Sequence, residues 1–187
     1  MIDLRNKELP NTITVNGSSF LIETDYRAWL KFGVLVEDNC DLSELVFLLK
    51  DTDIKDCLLW SVPTWNEMYK QMASFYSNPN STPNQIGEVA GEKTIDFIED
   101  GEYIYASFLY AYKIDLVETD LHWHKFKALF NGLPDTSKMV SIMNMRSYTT
   151  PTKTPDKIHM EAKQVWALKT KIDDKLIDEL NEMFYNS

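Results

Sequence analysis

Residues 101–113, Gly101-Glu-Tyr-Ile-Tyr-Ala-Ser-Phe-Leu-Tyr-Ala-Tyr-Lys, are apolar or aromatic on almost every side of a helical wheel. A helix like that has to sit in the middle of a fold or under a partner. The segment therefore calls for a mainly helical domain packed around it. The chain has the material: 187 residues, 44% of them hydrophobic, with 5 Trp, 9 Tyr and 9 Phe, can bury a sizeable core. Six Gly are few for a strand-rich fold with many tight turns. No apolar run approaches the ~20 residues of a membrane span, so no membrane partner is expected.

The one strand signal is at the start. Thr12-Ile-Thr-Val-Asn-Gly-Ser-Ser-Phe-Leu-Ile-Glu reads as a short β-hairpin, with Asn16-Gly17 supplying positive φ angles. Asp25 then caps a helix whose face holds Tyr26, Trp29, Leu30 and Gly33. Asp41 and Glu44 have capping-box spacing ahead of Leu42, Leu45, Val46 and Leu49. A further helix starts around Ser61-Val-Pro-Thr, with a stripe of Trp65, Met68, Tyr69, Met72 and Tyr76. Beyond 101–113, a helix from about Glu118 places His122, Phe126, Leu129, Phe130 and Leu133 on one face. Asn131-Gly-Leu-Pro134 stops it, with Gly132 suited to a left-handed cap. Asp135 is expected to cap the next helix, which shows Met139, Ile142 and Met143. Two last helices use Ile158, Ala162, Val165 and Trp166, then Leu176, Leu180 and Phe184 with Asp173 as cap.

The sum is about seven helices and one N-terminal hairpin, mainly α. Pro, Asn, Ser and Gly dominate residues 77–92, which read as a long loop. The expected organisation is a single domain over 1–187: an N-terminal lobe 1–76, the loop 77–92 and a C-terminal helical lobe 93–187. The hairpin edge and the helix over 103–112 both want cover, from the rest of the chain or from a second copy, so a homo-oligomer is an open expectation.

Net charge is −10, and it is uneven. Residues 51–120 carry 4 basic and 13 acidic groups, whereas residues 121–187 carry 10 and 8. A body this acidic repels phosphate backbones, so nucleic acid is not an expected partner. The start, M-I-D-L-R-N-K-E-L-P, has no apolar signal-peptide core, and Cys40 and Cys57 read as two free cytosolic thiols.

Catalytic and cofactor motifs are not found: no Gly-rich phosphate loop, no G-x-S-x-G, no H-E-x-x-H. His122 and His124 are two apart, which on a helix points them to different sides and argues against a shared metal. His124 shares its side with Lys127 and Asn131 and is expected to be exposed. Asp96, Glu99, Asp100 and Glu102 cluster before the apolar helix, where a helix N-terminus would favour them. An enzyme of unknown reaction would have to use such acids. No catalytic, cofactor-binding or metal residue is assigned.

Three segments together carry a resemblance: Asp25-Tyr-Arg-Ala-Trp-Leu, Tyr103-Ile-Tyr-Ala-Ser-Phe-Leu-Tyr-Ala-Tyr-Lys-Ile-Asp-Leu, and Leu121-His-Trp-His-Lys-Phe-Lys-Ala-Leu-Phe-Asn-Gly-Leu-Pro. In order and spacing, over roughly residues 20–147, the chain resembles the bacteriophage gene product fifteen family of tail-morphogenesis proteins from phages and prophages of Gram-positive hosts. It departs at one place: the family pattern L-H-W-W-K-F carries a second Trp where this chain has His124. The resemblance implies a gene between those of the major tail protein and the tape measure protein, an interval that commonly encodes tail assembly chaperones. It implies a non-enzymatic protein of the host bacterial cytoplasm that binds the tape measure protein, the major tail protein or both. A structural tail or neck component retained in the virion is the alternative. Trp123, His124, Lys125 and Lys127 combine the most specific family segment with the least acidic third of the chain, and they are the expected partner-binding residues.

Overall fold

A computed structural model describes residues 2–52, 54–57, 59–77, 88–89, 92–149 and 156–169. The hairpin is β1 (Thr12–Val15) paired antiparallel with β2 (Ser18–Leu21), with Val15 opposite Ser18. Asn16 (φ 49°) and Gly17 (φ 83°) make the two-residue turn, whose twist matches that of the strands. Period-2 alternation buries Ile13 and Val15 and leaves Thr12 and Thr14 outside. The buried face packs on α3 (Val62–Ser77), and the Asn16 Nδ2 amide ties the turn to Thr64 Oγ1 at 3.0 Å. A lone hairpin is marginal in water; here a helix covers it.

α1 (Tyr26–Glu37) begins at Asp25, whose carboxylate accepts from Arg27 N. Its buried positions are Tyr26, Trp29 and Phe32, so the inward stripe also includes Phe32. Gly33 marks the crossing of α1 and α3: a Cβ there would lie 2.6 Å from Tyr76 Oη. The Asp41–Glu44 capping box forms in full, but it opens a 3-10 helix, Leu42–Leu48. A cap signal reports where a helix starts and says nothing of its hydrogen-bond period. The short α2 (Ile54–Cys57) leads to α3, which buries Met68, Met72 and Phe75. At the end of the 77–92 loop and running one residue past it, β3 (Glu88–Val89) and β4 (Glu92–Lys93) pair antiparallel.

α4 (Gly101–Tyr112) is the apolar helix. It buries Ile104, Ser107 and Phe108, and leaves Leu109 and Tyr110 exposed. α5 (Trp123–Asn131) starts five residues later than its apolar spacing suggested. The chain before it is held extended: Asp25 bridges His122, and Trp123 N donates to Thr24 O at 2.7 Å. Gly132 ends α5 at φ −94°, not in the left-handed region; Lys113 (φ 58°), at the end of α4, takes that conformation instead. What Gly132 allows is close approach, since a Cβ would meet Tyr112 Oη and Ala128 O at 3.2 Å.

α6 (Lys138–Arg146) is capped from position Ser137, not Asp135. The Ser137 hydroxyl makes no cap bond and has no hydrogen-bond partner among the described residues. Ser107 of α4 does that work, accepting from Met139 N at 3.1 Å, so α4 supplies the N-terminal cap of its neighbour. α7 (Lys157–Val165) closes the described chain. Its expected apolar face is largely outside: Ile158 is 76% and Val165 77% exposed, while Ala162 and Trp166 are half-buried. The helix expected on Leu176, Leu180 and Phe184 lies outside the described residues. The architecture is thus mainly α, with seven α-helices and one 3-10 helix among the described residues, plus the N-terminal hairpin.

An aromatic network joins α1, α3, α4 and α5 through the core. Phe126 stacks on Tyr26 (4.6 Å between centroids) and on Phe108 (5.2 Å). Trp123 stacks on Tyr76 (5.0 Å), and Phe75 lies against Trp29 (4.5 Å).

Candidate functional site

The family-like segment Leu121–Pro134 forms the connection into α5, the helix itself and its stop. Of the four residues expected to bind a partner, only Lys125 is exposed. Trp123 is in the core, and His124 and Lys127 are each 6% exposed, so the expectation of an exposed His124 is corrected. The reason is at the end of α3. The last four carbonyls of a helix have no partner inside it, and that end carries partial negative charge. Trp123 Nε1 donates to Tyr76 O at 3.0 Å, the Lys127 ammonium donates to the same oxygen, and His124 Nε2 meets Phe75 O at 3.0 Å. Positions 123, 124 and 127 are spaced i, i+1, i+4, which puts three donors on one side of α5. Lys127 also lies near the Trp123 ring, 5.4 Å from its centroid. That polar donors recur at helical spacing beside Phe126 and Phe130 was the available signal for burial.

Burial sets the protonation of this cluster. It pushes the Lys127 ammonium down to about 8 and the His124 imidazole down to about 4. A carbonyl only accepts, so neutral His124 carries its proton on Nε2. His122 is the N-cap of α5: its Nδ1 accepts from His124 N at 3.0 Å, and its Nε2 faces Pro10 O at 3.0 Å. Standing just outside the helix, His122 lies 5.1 Å from the His124 ring, so the two do not diverge as a helical wheel predicts. Each ring spends its Nε2 on a backbone carbonyl. Among the described residues no group of three or more His, Cys, Asp or Glu could hold a metal ion.

A pH effect follows. Unfolded His124 binds a proton near 6.5 and folded His124 only near 4, so between those values the unfolded state holds more protons. Stability is therefore full above about pH 6.5 and falls as pH drops toward 4, by on the order of 3 kcal/mol from this group. Urea midpoints across that range should fall in the wild type and fall less in His124→Gln, which keeps a donor without titrating. Parallel slopes would sink the assignment.

The acidic cluster has separate, structural duties. Asp100 is buried and paired with Arg146: Nη2 donates to Oδ1 at 2.9 Å and Nη1 to Oδ2. Asp100 Oδ2 also accepts from Asp96 N, and Arg146 further donates to Thr94 O (3.0 Å) and Trp166 O (2.6 Å). Asp100 occupies the N-cap position of α4 but makes no cap bond, so its role is this pair rather than the helix dipole. Partial burial opposes the charge on Asp96. Hydrogen bonds from Glu99 N and Ile98 N and the Lys93 ammonium outweigh it and hold the carboxyl below the usual range. The Glu99 carboxylate accepts from Lys169 N. Asp96, Glu99 and Asp100 are thus engaged by the fold, while Glu102, in the first turn of α4, is exposed. Burial, Glu44 and Asp41 push the Cys40 thiol up, away from thiolate chemistry.

Among the described residues no helix is long and apolar enough to cross a membrane. Neither a curated protein nor a solved structure matches the chain. A family model described as Bacteriophage Gp15 protein matches residues 5–170, taking in the hairpin, the α3–α5 clamp and the Asp100–Arg146 pair. The chain belongs to the bacteriophage Gp15 family, a family of phage structural or morphogenesis proteins.

Proposed function

We propose that this protein is a non-enzymatic tail assembly chaperone that works in the host bacterial cytoplasm on the tape measure protein, the major tail protein or both. Family membership over residues 5–170 carries the reading. The physics is compatible with it. A tape measure is a long helical protein that exposes apolar stripes until the tube encloses it, and a chaperone for it needs apolar surface on a soluble, charged body. This chain has net charge −10 and leaves Leu109, Tyr110, Ile158 and Val165 exposed. Within the α5 segment, Lys125 is the residue that offers a partner a charge, beside Lys7 and His122 around a polar hollow.

The test is co-expression with the tape measure protein of the same phage. The expected result is a soluble complex that co-elutes, and a tape measure that precipitates when expressed alone. If solubility does not change and no complex forms, the chaperone reading fails. A tail or neck component retained in the virion is the alternative that the family also accommodates. Stoichiometric peptides of this chain in purified virions would establish it and displace the chaperone reading.

A further inference from the structure

A half-open groove of about 270 Å³ lies between α1, the start of α4 and the connection that follows α4. Tyr26, Leu30, Ile104, Leu116 and Phe126 make it apolar, and Val117, 70% exposed, stands at its rim. The polar atoms at the mouth are already committed. The Tyr26 hydroxyl donates to Leu116 O at 2.7 Å, and the Tyr105 hydroxyl donates to Asp115 at 3.1 Å. Arg27 donates to Leu116 O, Val117 O and Thr119 O at 2.8–3.2 Å, and pairs with Asp25 at 3.0 Å and Asp120 at 3.4 Å. What the groove offers a visitor is therefore apolar surface, with room for one large aromatic or a pair of aliphatic side chains.

Around that surface the charge has one sign in excess. Asp25 and Asp120 pair with Arg27, Asp115 accepts from the Tyr105 hydroxyl at the same mouth, and Glu118 stands exposed on the connection that follows α4. The hydrogen bond to Asp115 and the charges of Asp115 and Glu118 raise the phenol of Tyr105, which lines the groove. Glu102, next to lining residue Gly101, is exposed as well. An apolar slot with an acidic rim favours an apolar anchor set among positive charges, and it disfavours the same anchor among negative ones.

We propose that this groove docks a segment of another protein in which a bulky apolar side chain is flanked by Lys or Arg. The proposal goes beyond the tail-assembly reading and does not depend on it, because it is stated by the chemistry of the visitor.

Two designed amphipathic helical peptides test it on the full ¹⁵N-labelled chain. Both carry the same Leu and Trp face; one has Lys flanks and the other Glu. The Lys peptide should bind, shift the amides of Leu30, Gly101, Tyr105 and Val117, and weaken with added salt. The Glu peptide should bind at least about tenfold more weakly. Gly101→Leu is the blocking variant: Gly101 lines the groove, and a Cβ there meets nothing within 4 Å, so bulk is added at the lining without a clash. It should cut affinity for the Lys peptide about tenfold or more, and Glu118→Lys about fivefold, with both spectra still dispersed. Equal binding of the two peptides, or full affinity in Gly101→Leu, overturns the proposal. So does concentration-dependent self-association of the wild type in sedimentation velocity that Gly101→Leu abolishes, because the occupant is then a second copy of this chain.

Discussion

Arg146→Ala should destabilise the protein by about 3–5 kcal/mol, the cost of leaving a buried carboxylate without its partner. For a chain of this size that is a fall in melting temperature of roughly 10 °C. The effect is large because Asp100 is 1% exposed and Arg146 only 7%. Removing the guanidinium also takes donors from the carbonyls of Thr94 and Trp166. The number measures the penalty of orphaning Asp100, not the worth of the pair against an apolar replacement. Arg146→Met combined with Asp100→Asn should therefore be more stable than Arg146→Ala alone. Urea denaturation of the single and double variants decides it. A single-variant loss under about 1 kcal/mol, or a double variant worse than the single, would falsify the reading of Arg146 as the anchor of this end of the molecule.

Phe126→Ala should cost a similar amount, about 3–5 kcal/mol, through lost burial and the cavity left behind. Phe126 is 1% exposed and stands where three parts of the core meet: Tyr26 of α1, Phe108 of α4 and Trp123 of its own helix. It also lines the groove between α1 and α4, so its removal deepens that groove as well as the core. Phe126→Leu keeps most of the volume and should lose distinctly less. If the two variants melt together, the network is not organised around this ring.

Several local signals are legible in the sequence, though the Gly132 and Asp135 caps are not among them, and the long-range contacts are not legible. The Asn16-Gly17 turn, the Asp25 cap and the Asp41–Glu44 box each depend on residues a few positions apart, and each forms as read. The start of α5 was misplaced because its cap is an imidazole, and because its preceding strand-like stretch is held by Thr24 and Asp25, about a hundred residues back along the chain. Asp100 looked like a helix-end acid because its partner lies 46 residues away. His124 and Lys127 looked like surface residues because the carbonyls they serve belong to another helix, whose end no local pattern could place beside them. The groove between α1 and α4 had no sequence signature of its own. It exists only where four separate segments meet.

The clamp on the end of α3 also sets how this chain responds to acid. Tryptophan at position 124 would bring one indole N–H, and His124 in its neutral form also brings one N–H to the Phe75 carbonyl. The exchange is not silent, because indole does not titrate in water. A His124→Trp variant would therefore lack the acid-sensitive step that His124 gives this chain. The acid tolerance of this chain thus rests in part on one imidazole inside its own packed clamp.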